Sequence, residues 1–145
     1  MKNKKKIVAL IILFGFAFFL FIPRTIILAP ARELIITNLD EEPIQNAIVK
    51  QVWHQYSIRV NGQEDFLSGP NGQVSLPARI VKTRNFDLLK GCVLNIKNYF
   101  IHASCCTSES IGVLSEGYEN DWFYDGEGLD SGIVTMRPGK NQQFK

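Results

Sequence analysis

The 145-residue chain has a formal charge of +2, but six of its sixteen Lys/Arg lie at or before Arg32. Beyond that point ten basic residues face fourteen Asp/Glu, so the remainder is acidic by about four charges and lacks the clustered basic face that nucleic-acid binding requires. Glu33 to Lys145 is long enough for one compact domain and too short for two.

Lys2, Lys4, Lys5 and Lys6 run into an unbroken apolar or glycine stretch from Ile7 to Ile22. As a helix this stretch spans roughly 24 Å at ~1.5 Å per residue, short of a hydrocarbon core of ~30 Å. Snorkelling lysines and the apolar residues Thr25 to Ala29 extend it, so an anchor from Lys6 to Leu28 is expected. The other reading is a cleaved secretory signal, with Ala29-Pro30-Ala31 as its small-residue site. In both readings the lysines stay cytoplasmic and the rest is translocated. The domain would then lie outside the cytoplasm, on the periplasmic or extracellular face, or be secreted after cleavage. The expected division is residues 1–32 as anchor or signal, 33–139 as domain and 140–145 as a polar tail.

Leu34 to Leu39 reads as a short strand, ended by the turn residues Asp40-Glu41-Glu42-Pro43. A long strand is expected from Ile48 to Val60, with Ile48, Val52, Tyr56, Ile58 and Val60 on one face and Trp53 on the other. Asn61-Gly62 predicts the hairpin turn that follows, since both positions accept positive φ. Gln63 to Leu67 returns, Gly69-Pro70-Asn71-Gly72 reverses the chain, and Gln73 to Leu76 is a strand stopped by Pro77. Asn85 then caps an amphipathic helix of about twelve residues, with Phe86, Leu89, Val93 and Ile96 at helical spacing and Leu88 and Cys92 widening the stripe that is expected to lie on a sheet. Tyr99 to Cys106 and Ile111 to Ser115 predict a strand pair, Glu116 to Gly128 a loop, and Gly132 to Met136 a final strand. Seven or so short strands with one helix describe a mainly β chain built as a sandwich.

Asp40, Pro43-Ile44-Gln45-Asn46-Ala47-Ile48-Val49 and the later Asn71-Gly72-Gln73-Val74-Ser75-Leu76-Pro77 resemble the opening half of a carboxypeptidase-regulatory-like domain. That resemblance implies a transthyretin-like (prealbumin-like) sandwich with a folding, spacing or contact role and no chemistry of its own. The pattern departs at Glu42, where a glycine usually precedes the proline, and at Ser68-Gly69, which replaces the frequent Thr-Asp.

His102, Cys105 and Cys106, with His54 as a fourth ligand, form the one zinc-like set, but Cys105 points to the opposite strand face from His102 and Cys106. The odd count of three cysteines is read either as a bridge from Cys92 to Cys105 or Cys106, or as three reduced thiols. Asp121 to Asp130 is rich in acidic residues, yet Phe123 and Gly132 occupy positions where an EF-hand needs oxygen ligands. Within it, Trp122, Phe123 and Tyr124 are the candidate contact residues, for an envelope protein, a peptide or the sugar rings of a cell-wall glycan; the other reading is that alternate members of the triplet seal the open end of the sandwich. Transthyretin-like ureide hydrolases carry a Tyr-Arg-Gly-Ser ending and paired histidines; this chain ends Asn141-Gln142-Gln143-Phe144-Lys145. The reading is therefore noncatalytic, with no metal and no cofactor.

Overall fold

A computed structural model describes residues 2–94 and 107–139. Helix α1 (Lys2–Phe21) is followed by strands β1 (Pro23–Ala29), β2 (Arg32–Thr37), β3 (Ile48–Gln55), β4 (Val60–Leu67), β5 (Gln73–Leu76) and β6 (Arg79–Arg84). Helix α2 (Asn85–Leu94) comes next, and then β7 (Thr107–Leu114), β8 (Asp121–Tyr124) and β9 (Ile133–Thr135). The chain is mainly β. Seven strands form two sheets in the orders β5-β2-β9 and β4-β3-β7-β8, and β1 pairs with β6 as a separate two-stranded ribbon.

The core is sandwich-like because both sheets supply it. Leu34 and Ile36 of β2, Val74 and Leu76 of β5 and Val134 of β9 meet Val49 of β3 and Ile111 and Val113 of β7. Burying each such side chain contributes about 1.5–3 kcal/mol. The loop at 38–43 turns without the glycine usual before the proline. Asn38 Oδ1 accepts the amides of Asp40 and Glu42 at 2.9 and 2.8 Å, and Glu41 takes the left-handed conformation at φ 62°. Ser68 is equally structural: its Oγ accepts the Ala47 amide at 2.9 Å and donates to the Ile44 carbonyl at 2.6 Å.

The expected anchor from Lys6 to Leu28 is corrected. No helix among the described residues is long and apolar enough to cross a membrane. The apolar part of α1 ends at Phe21, before Pro23, which disfavours helix in the residue preceding it. The β-branched residues that follow form β1, antiparallel to β6 in register from Pro23↔Arg84 to Ala29↔Arg79. Leu28 and Ala29 are buried, so the β fold begins at Pro23 and not at Glu33.

The long strand expected from Ile48 to Val60 is corrected as well. β3 stops at Gln55, the reversal occupies Tyr56 to Arg59 with Arg59 at φ 54°, and Asn61 and Gly62 lie inside β4 opposite His54 and Trp53. Gly62 answers to packing rather than turning, since a Cβ there would lie 2.5 Å from the Trp53 ring. The inward face of β3 is Val49, Gln51, Trp53 and Gln55, while Ile48 is exposed. Helix α2 does not lay its stripe on a sheet either: Phe86, Leu89 and Val93 are exposed, and its buried residue is Gly91, packed against the Ser57 backbone. β8 falls where a loop is expected, and the strand expected at Tyr99 to Cys106, Ile96 and the tail lie outside the described residues.

Candidate functional site

Among the described residues β8 pairs with β7 alone, at the edge of its sheet. Period-two alternation sends its aromatics to opposite faces. Phe123 packs against the core, whereas Trp122 and Tyr124 project outward, 44% and 64% exposed. The three expected contact residues thus divide into one core residue and two surface residues.

The outer face has a definite layout. Trp122 lies opposite Gly112, Gly112 opposite Lys50, and Lys50 opposite Asp65, with Lys50 Nζ 3.6 Å from the Asp65 carboxylate. The next row runs Tyr124, Ser110, Val52 and Gln63. A Cβ on Gly112 would meet Trp122 Cη2, Cζ2 and Cζ3 at 2.9, 3.0 and 3.0 Å. Three ring atoms at nearly one distance mean that the indole lies face-down on the Gly112 backbone and turns its other face outward. An exposed ring face beside an ion pair and a serine hydroxyl is suited to stacking with flanking hydrogen bonds.

On the inner face a chain of polar groups crosses five strands. Glu109 on β7 is buried, accepting Arg32 Nη2 of β2 and Gln51 Nε2 of β3, each at 3.3 Å. Gln51 Oε1 accepts Arg79 Nε of β6 at 3.3 Å, and Arg79 Nη2 pairs with Glu64 of β4. The Arg79 guanidinium also sits 4.7 Å from the centre of the Trp53 ring. Arg32 Nε is buried and finds no partner among the described residues. The chain ties the ribbon and both sheets together, and Asp125 joins it: its amide donates to Glu109 O at 2.8 Å and its Oδ1 accepts the Glu109 amide at 3.1 Å. Asp125 sits just after Tyr124, so these bonds to the Glu109 backbone hold the end of β8 against β7. Sequence reasoning missed it; the signal was Gln51 and Gln55 alternating with Val49 and Trp53.

His54 lies against Tyr56, ring centres 4.0 Å apart and planes tilted by 47°. Cys92 is a free, half-buried thiol on α2, its Sγ 3.2 Å from Ser57 Oγ. His102, Cys105 and Cys106, and with them the expected bridge and the zinc-like set, lie outside the described residues. Among the described residues no group of three or more His, Cys, Asp or Glu is placed to hold a metal ion. No protein-family model matches the chain, and no curated protein matches it.

Proposed function

We propose that this protein is a noncatalytic contact module of the cell envelope: α1 attaches it to a membrane, a transthyretin-like sandwich stands outside the cytoplasm, and the outer face of β8 meets a partner protein. The observation that carries the reading is the outward pair Trp122 and Tyr124 on an edge strand, positioned by Phe123 in the core between them. Aromatic side chains of this kind dominate protein contacts because they bury large area with few rotatable bonds.

Attachment through α1 is supported by its surface. Apart from Leu20, which is half-buried, its large apolar side chains are 55–74% exposed, a composition that belongs in lipid or under a partner. Fourteen apolar residues and Gly15, from Ile7 to Phe21, make roughly 22 Å of helix, so insertion draws on snorkelling lysines and local bilayer thinning. Retention of the segment after α1 is supported by β1, since cutting at Ala29-Pro30-Ala31 would strip β6 of its paired strand.

The test is recovery of a partner from detergent extract with the full chain and with Trp122→Ala/Tyr124→Ala. Loss of the partner from the variant is expected, and equal recovery overturns the reading. A glycan-binding role is favoured by one feature, the outward-facing indole lying flat on Gly112. Titration of tryptophan fluorescence with cell-wall fragments separates the two: a saturable shift assigns the face to sugar rings, and an unchanged spectrum removes that role.

A further inference from the structure

The two helices leave the ribbon at the same end. Pro23, just after α1, is the register partner of Arg84, just before α2. Asn85 Nδ2 donates to the Phe19 carbonyl at 2.9 Å, and the Phe21 and Phe86 rings stack with centres 6.0 Å apart. Whatever surface receives α1 therefore lies beside α2. On α2 itself Phe86, Leu89, Val93 and Leu94 are exposed, and the paired Ile27 and Ile80 of the ribbon are each about 60% exposed.

Charge separates along the same line. β1, β6 and α2 carry Arg24, Arg79, Lys82, Arg84 and Lys90 against Asp87 alone, while the other thirteen acidic residues lie elsewhere in the chain. Arg79 turns inward to Glu64, and the other four cations are exposed and form no ion pair with a described residue. Between α2 and the Tyr56–Arg59 reversal opens a cleft of about 400 Å³, lined by Arg59, Lys90, Ser57, Thr83, Asp87 and Leu94. Two cations and two hydroxyl residues there outweigh one carboxylate, and Leu94 gives the cleft an apolar lip.

We propose that α2 and the adjoining end of the ribbon form a second membrane seat, selective for anionic phospholipid: the apolar stripe of α2 enters the interface and Arg59, Lys82, Arg84 and Lys90 meet headgroup phosphates. This rests on the reading that α1 is in lipid. It deepens it, because α1 alone gives no preference among headgroups. A helix with apolar residues on one side and cations beside them binds in the plane of the interface, and each Lys or Arg near an anionic surface raises affinity roughly fivefold.

The experiment is hydrogen exchange of the full chain in nanodiscs of phosphatidylcholine and of phosphatidylcholine with phosphatidylglycerol, repeated with Arg84→Glu/Lys90→Glu. The expected result is α1 protected in both lipids and α2 amides exchanging at least roughly tenfold more slowly with phosphatidylglycerol, in line with the charge contribution. The variant should lose that difference while core amides at Ile111 and Val113 stay protected. Equal α2 exchange in the two lipids with α1 protected overturns the anionic seat and leaves the membrane reading standing. A difference that persists in the variant also overturns it. Protection of α2 only in discs holding two copies, whatever the lipid, gives the face to a second copy and overturns it too. Unprotected α1 in both discs removes the membrane reading and this inference together.

Discussion

Replacing Glu109 with alanine would open the polar chain at its centre. The carboxylate accepts one bond from Arg32 and one from Gln51, and Gln51 is fully buried, so its Nε2 cannot recover a water. An unsatisfied buried donor costs about 1–3 kcal/mol. Stripping a buried charge of its partner costs about 3–5 kcal/mol, and Arg32, with 21% of its side chain exposed, regains part of that from solvent. Together these give a loss of about 3 kcal/mol, or roughly 10 °C in Tm for a domain of this size. Glu109→Gln keeps the length and one acceptor, and should cost about half as much. The assay is urea unfolding of the full chain in nanodiscs followed by tryptophan emission, since Trp53 lies under Arg79 and senses the network directly. If Glu109→Ala shifts stability by less than about 0.5 kcal/mol, the range of an ordinary surface substitution, the network is not what ties the ribbon to the sheets.

Ser68→Ala leaves the Ala47 amide and the Ile44 carbonyl without their side-chain partner; a loss of about 1–3 kcal/mol is expected in the same urea assay. Gly112→Val pushes the Trp122 ring off the sheet, because even a Cβ meets it at 2.9 Å. Stability should change little, as the ring is free to swing outward, while acrylamide quenching rises and partner recovery falls. The intact mass of the native protein should include residues 23–31, since β1 completes the ribbon and buries Leu28 and Ala29. A mass starting at Arg32 contradicts that.

Local signals gave reliable elements where turn chemistry and alternation agreed. Gln73 to Leu76, between Asn71-Gly72 and Pro77, is β5 as read, and Asn85 begins α2. Elsewhere tertiary context decided. Asn61-Gly62 carries a strong turn signal, yet the glycine is needed under the Trp53 ring, and the chain reverses at Tyr56 to Arg59 instead. Counting apolar residues put Ile48 and Val52 of β3 together on one face, opposite Trp53, without saying which face is buried. The buried face holds Gln51 and Gln55, because Glu109, Arg79 and Thr107 satisfy them across the sheet. β1 was hidden in the apolar run that precedes it, and β6 is a short basic strand that exists through β1. The aromatic triplet was visible as a candidate contact or as a seal made by alternate members, but which ring turns inward required the register with β7.

The most direct measurement is photo-crosslinking in intact cells with benzoylphenylalanine in place of Tyr124, compared with the same probe at Ile133, an exposed position on the other sheet. A contact module working through the outer face of β8 gives one discrete adduct from position 124 that position 133 does not give, and Trp122→Ala weakens it. No adduct at 124, or the same adducts from both positions, contradicts the account.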